Sequence, residues 1–509
     1  MKTYKKKELG LTYRAKKNAI SGILLFIVNT LVSFIINPIL VQYLGTTHFG
    51  IWKSIDKFLG FASMLDGKGT QALKWTIAHQ EEITDYHKRR RSISNAIVTW
   101  IVFLPLLVVF IISIVSFVPD LMKNLTEDDI LLAKTVVSLL GINLILVPLL
   151  TIPNSVLVGT NRGAIVNYVA MVWLCINAII IYILLYLNYG IKELALLILV
   201  ITIMKSIHNF VLAKKNIKWF GIEKPIKTEL MSFFKFSSWK MLWTFIAMSF
   251  QSSEIILLSF FIGPIVVSKY VFTSYAAITG ITIAAIVTSA LSPGLGRLIG
   301  NKEYLKSQYI IFTLRELIMS LGVLIGFFVL SLNKSFVTVW AGENLFLGNQ
   351  INLIIVLIML QLMIIRNEAF LIDLNLKIKL KVLLGFASVV LSLLFAVSGY
   401  LYIDKSIKII LIGILVGRLP LLIIYPILTN NMIENKRKIV LKIKQFIHII
   451  ILFSIAFYIG EIQTFDTVGK FIFYGSIEIF VGIAYLYYFF LTNETKEVLK
   501  TKVFKGIKI

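Results

Sequence analysis

Apolar runs long enough to cross a bilayer recur along all 509 residues, and this recurrence limits the fold more than any single motif. A hydrocarbon core of about 30 Å needs roughly 20 apolar residues in helical form. Such runs fall near 20–41, 51–72, 94–118, 135–157, 164–187 and 194–212, then 233–262, 265–291, 309–330, 350–372, 382–402 and 407–428. A last pair lies near 446–462 and 469–491. Only 15% of residues are charged, against about 25% in a soluble domain. The chain is therefore expected to be an all-α polytopic membrane protein of about fourteen transmembrane helices.

Basic residues set the orientation. With the N-terminus inside, about 35 Lys and Arg fall on inside segments and roughly eight on outside loops. The inside set includes HKRRR at 87–91, the 214–227 linker, KIKLK at 377–381, NKRKIVLKIK at 435–444 and the C-terminal tail. Both termini are thus expected in the cytoplasm, the basic N-terminus being a leader into a retained helix. The net charge of +25 lies between apolar spans, where it suits anionic lipid headgroups and not nucleic acid. Cys175 is the only cysteine and the five histidines are scattered, so no disulfide or metal site is expected.

The linker separates two groups of six spans, giving lobes at 1–212 and 233–430 around the 213–232 linker. Residues 431–509 hold the final pair and a basic tail. A faint repeat aligns QYLGTTHFGIWKS (42–54) with FFIGPIVVSKYVF (260–272), a shift of 218 residues. The same shift brings 159–168 onto 377–386. Parallel repeats of this kind place a transporter's substrate site between the halves.

The second span is unusual in its charge. Read as a helix from about Phe49, it puts Lys53, Asp56, Lys57, Gly60 and Met64 on one side, with Asp66 and Lys68 beyond. Phe58, Leu59, Phe61 and Leu65 take the other side, against lipid or protein. A charge at the bilayer centre costs about 2.5–3.5 kcal/mol, so such residues turn to a bundle interior or a watered cavity. In the seventh span Ser237, Lys240, Thr244, Ala247, Gln251 and Glu254 form one helical stripe, about 26 Å long at the α-helical rise. The eighth adds Ser268, Tyr275, Thr279, Thr282 and Ser289. The plain alternative for hydroxyls is interhelical hydrogen bonding; Lys240 and Glu254 favour a cavity wall. Arg418 stands mid-span with no carboxylate nearby on its own helix, so a cavity or a distant carboxylate must receive it. Arg366 and Glu368 lie near a cytoplasmic end, where snorkelling suffices, and Glu478 lies within the last span. There is no phosphate-binding Walker motif, and no large external loop of the kind an intramembrane transferase needs, so an enzyme is not expected.

LGTTHFGIWKS followed by LDGKGTQALKWTIA resembles the signature near the start of polysaccharide-biosynthesis flippases. PNSVLVGTNRG, FKFSSWKML, SALSPGLGRLIGNKE and FVTVWAGENLF extend the likeness along most of the chain. The family resembled is the Wzx-like lipid-linked oligosaccharide flippases of the MOP superfamily, relatives of lipid II flippases and MATE exporters. The resemblance implies two six-helix lobes about a central cavity plus a C-terminal pair, in the bacterial cytoplasmic membrane. It implies an undecaprenyl-pyrophosphate-linked oligosaccharide moved to the outer leaflet by alternating access, for O-antigen, capsule or exopolysaccharide assembly. Lysines and arginines would replace the pyrophosphate's hydration; Asp66 and Glu254 are the candidates for proton or Na⁺ coupling. No cofactor is implied, and the polymerase and glycosyltransferases are the protein partners. Lys68 departs from the family's apolar residue at its position. Competing readings are a flippase for lipid II or a teichoic-acid unit, a cation-coupled drug exporter with twelve spans and an anionic pocket, and a scaffold tolerant of charge neutralisation.

Overall fold

The computed structural model describes residues 2–80, 85–374, 378–434 and 443–498. The parts of the 377–381 and 435–444 clusters at 377 and 435–442, and the tail from 499, lie outside the described residues. Everything described is helix or connection. The helices are α1 (Lys2–Ala62), α2 (Gly69–His79), α3 (Tyr86–Ser116), α4 (Val118–Leu121), α5 (Glu127–Leu150), α6 (Ile152–Gly159), α7 (Gly163–Tyr186), α8 (Ile191–Asn216) and α9 (Lys227–Phe261). Then come α10 (Pro264–Ala290), α11 (Ser292–Gly300), α12 (Tyr304–Ala341), α13 (Asn349–Leu374), α14 (Ile378–Tyr402), α15 (Ile407–Met432), α16 (Ile443–Ile462), α17 (Val468–Tyr485) and α18 (Asn493–Val498).

Thirteen segments among the described residues are long and apolar enough to cross a membrane, one fewer than the sequence suggests. The difference lies in the first, Lys16–Asp66, which is 51 residues long. Its backbone breaks at Gly45 (φ 76°, ψ 168°), a conformation open essentially to glycine alone. Lys53 Nζ donates to Asn37 Oδ1 at 3.0 Å across this break. In a straight helix those residues stand about 24 Å apart, so the chain folds back at Gly45 and α1 is a hairpin of two limbs. The second limb also ends earlier than 72. A 3₁₀ turn over Ser63–Asp66 leads to Gly67 and Lys68, both left-handed, and α2 begins at Gly69.

The hairpin strengthens the repeat. Gly45 and Gly263 are 218 residues apart, and both have positive φ between the first two helices of their halves. The starts of α3 and α12, Tyr86 and Tyr304, keep the same spacing.

By packing, the chain divides into two compact units, Met1–Val267 and Ser268–Ile509. This differs from a division at the 213–232 linker because α9 packs on α1, α2 and α3. In the first unit Ile51, Ile55, Phe58, Leu59 and Ala62 of the second α1 limb are buried against Leu107, Ile111, Val136 and Val137 of α3 and α5. In the second unit α14 and α15 pack so closely that a Cβ at Gly413 or Gly417 would strike the backbone of Ala396 or Ser392.

Candidate functional site

The first unit presents its charges on one side of the second α1 limb. Since Ile51, Ile55, Phe58 and Leu59 are drawn into the core, the helical period turns Lys53, Asp56 and Lys57 the other way. The Asp56 side chain is 65% exposed and that of Lys57 31%, with Lys57 Nζ 3.6 Å from Asp56 Oδ2. Lys53 is held by Asn37 and lies 5.1 Å from the Phe49 ring centroid. Beside this limb runs α9, joined to it by an edge-to-face contact of Phe61 and Phe245 at 6.1 Å. On α9 Gln251 is exposed and Thr244 half-buried. Glu254 is 5% exposed, with Ser253 Oγ 3.4 Å from its Oε2. The side chain of Lys240 lies outside the described residues.

Asp66 and Lys68 are brought together at the helix break. Asp66 Oδ1 accepts from Lys68 N at 2.7 Å, and Lys68 Nζ lies 3.4 Å from Asp66 Oδ2 while also donating to Ser63 O. Ser237 of α9 donates to the carbonyl of Gly67. Lys68 is only 6% exposed, so this cluster fixes the break and the path of α9.

The second unit holds a buried network that the sequence did not reveal. Arg315 of α12 forms a fork on Glu368 of α13, with Nε–Oε1 at 2.7 Å and Nη2–Oε2 at 2.6 Å. Arg315 Nη1 also donates to Asn430 Oδ1 at 3.0 Å, and Thr288 Oγ1 to Asn367 Oδ1 at 3.1 Å. Glu368 therefore does not snorkel; it is 1% exposed and fully engaged. Arg366, two residues away, is half-buried and takes no hydrogen bond or ion pair among the described residues. Arg418 is 1% exposed, enclosed in the second unit. Tyr275 is half-buried against Trp340, ring centroids 4.6 Å apart. Glu478 accepts from Ser331 Oγ at 2.5 Å.

The family model for polysaccharide biosynthesis proteins matches residues 15–299, more than half of the chain. The chain belongs to the polysaccharide biosynthesis protein family. Among curated proteins, no sequence matches it. Among solved structures it is similar to an inward-facing multidrug resistance MATE family transporter of the MOP superfamily, at 15% identity and TM-score 0.64, covering 82% of this chain and 98% of that one. An outward-facing MATE transporter matches at 14% identity and TM-score 0.56, over 84% and 96% of the two chains. A MOP superfamily transporter from Pyrococcus furiosus, described as having a binding pocket of reversed polarity, gives the same identity, TM-score and coverage. At these identities the likeness establishes the fold, which is that of MOP-superfamily transporters. With the thirteen long apolar segments it makes this a multi-pass membrane protein.

Of the residues singled out by sequence, the second α1 limb and α9 bring Asp56, Lys57, Thr244 and Gln251 onto neighbouring helices of one unit. Tyr275, Arg366 and Arg418 lie in the other unit. Asn37, Arg315 and Asn430 were missed. Each is a polar residue in or beside an apolar run, and only its partner on a distant helix distinguishes it.

Proposed function

We propose that this protein is a flippase for undecaprenyl-pyrophosphate-linked oligosaccharide repeat units, moving them from the inner to the outer leaflet of the bacterial cytoplasmic membrane. The observation that carries the proposal is the second α1 limb of the first unit, with apolar side chains packed inward and exposed Asp56 and half-buried Lys57 on the other side, within a long apolar segment. A surface of that kind is expensive against lipid tails and inexpensive against water. A hydrated route suits a headgroup of sugars and phosphates. Membership of the polysaccharide biosynthesis family supports the sugar, and the transporter fold supports translocation without a chemical step.

Within this reading, Lys53 and Lys57 are the cations of the first unit proposed to meet the pyrophosphate, and Arg366, which makes no hydrogen bond or ion pair among the described residues, is the one proposed in the second unit. Gln251, Thr244 and Tyr275 would meet sugar hydroxyls. Glu254 is the group proposed to carry a coupling proton or Na⁺, since Asp66 is already committed to Lys68. The polymerase and glycosyltransferases of the same pathway are the proposed partners.

Deleting the gene in its host tests the proposal. The expected result is loss of surface polysaccharide with lipid-linked repeat units accumulating on the cytoplasmic side, reversed by the wild-type gene. Intact polysaccharide with arrested wall synthesis would replace it with a wall-precursor flippase. Intact polysaccharide with new drug sensitivity would replace it with an exporter.

A further inference from the structure

The segment between α8 and α9 sorts its side chains by charge. Trp219 is buried at 5% exposure, and its carbonyl accepts from Arg90 Nε at 2.9 Å. The guanidinium of Arg89 lies 5.4 Å from its ring centroid. Both acids of the region turn to the same basic cluster. Glu223 meets His87 Nδ1 at 2.9 Å, and Glu229 takes Arg91 Nε at 3.0 Å and Nη2 at 3.2 Å. The Glu223 N–H donates to Ser94 Oγ at 3.0 Å. HKRRR is thus more than a topology signal; it clasps the linker and the first turn of α9.

What remains outward is cationic and apolar. Lys218, Lys224 and Lys227 are exposed, and so are Ile222 (71%), Ile226 (45%) and Met231 (63%). The segment follows directly on the membrane-spanning α8, Ile191–Asn216, which brings it to the headgroup region. Lysines beside exposed aliphatic side chains are what an anionic lipid surface binds, phosphates taking the ammonium groups and aliphatic side chains entering the acyl boundary. We infer that residues 218–231 form a docking surface for anionic phospholipid on the cytoplasmic leaflet. Residues 227–231 are the first turn of α9, which the Arg91–Glu229 fork ties to α3, so the surface adjoins the helix that carries Thr244, Gln251 and Glu254.

The test needs no transport assay. Cys175 is replaced by serine, Ile222 by cysteine, and the full-length protein is labelled there with an environment-sensitive fluorophore. It is then placed in phosphatidylcholine nanodiscs with or without phosphatidylglycerol brominated on its acyl chains. Expected is a blue shift and severalfold stronger quenching with the brominated anionic lipid. Lys218→Gln/Lys224→Gln/Lys227→Gln should lose it, and high salt should weaken it in the unsubstituted protein. A label at exposed Phe386, in α14, should contact lipid in both membranes. A water-like label at 222 in both membranes would overturn the inference. So would quenching indifferent to salt and to the lysines, which would mark insertion without recognition of charge.

Discussion

Glu368 and Asp56 are both acids within apolar spans, yet they carry opposite expectations. Glu368 is sealed under Arg315, so Glu368→Gln leaves a guanidinium without its counter-charge. Breaking a buried pair by removing one partner costs about 3–5 kcal/mol, a large share of a marginal stability. Thermal unfolding in detergent should show a large drop in midpoint for Glu368→Gln. Asp56→Asn should leave it nearly unchanged, since exposed substitutions stay within about 0.5 kcal/mol. Equal effects would mean that Asp56 is held by the fold. Asp85 gives a pH dependence outside the membrane. Its carboxyl caps α3, and the N–H of Lys88, then that of His87, hold its pKa below the usual carboxylate value. A lowered folded pKa adds stability above the ordinary carboxylate range, and that stability is lost as pH falls through the lowered value. Amide protection at the start of α3, taken relative to intrinsic exchange at each pH, should therefore be constant near neutrality and fall only in acid, and Asp85→Asn should flatten the dependence.

At the scale of elements, two glycine sites predict different injuries. Gly45 has open space where a Cβ would go, so Gly45→Ala meets only backbone strain, about 1–3 kcal/mol. Gly417 faces the backbone of Ser392, which cannot move aside as a side chain can. Gly417→Val should separate α14 from α15 and abolish the monodisperse protein in size-exclusion chromatography, whereas Gly45→Ala should only lower its melting temperature. These sites also show what was legible beforehand. Hydropathy located the spans because twenty apolar residues have one stable destination. It also parted the runs at 20–41 and 51–72 on either side of Gly45, but the fold-back itself shows only in the bond from Lys53 to Asn37 on the other limb. The charged side of the second span was legible from its period alone. The Arg315–Glu368 fork was not, since 53 residues separate its members and neither sits in a periodic pattern.

For the whole molecule, the outward charge of the first unit is the feature that stability does not explain. Asp56 is exposed and Lys57 half-buried, and their mutual contact at 3.6 Å is of the kind that contributes about 0–1 kcal/mol. A helix selected only to sit in lipid would carry leucine at both places. Asp56→Leu/Lys57→Leu together with Gln251→Leu should therefore insert, fold and melt at or above the wild-type temperature while failing to restore surface polysaccharide in the deleted host. Lipid-linked repeat units should accumulate as they do without the gene. Combining stability with export separates the two origins of a loss, because a misfolded variant loses both. Full restoration by the apolar triple variant would remove this surface from the translocation route and leave the cations of the second unit, Arg366 first, as the ones to neutralise next.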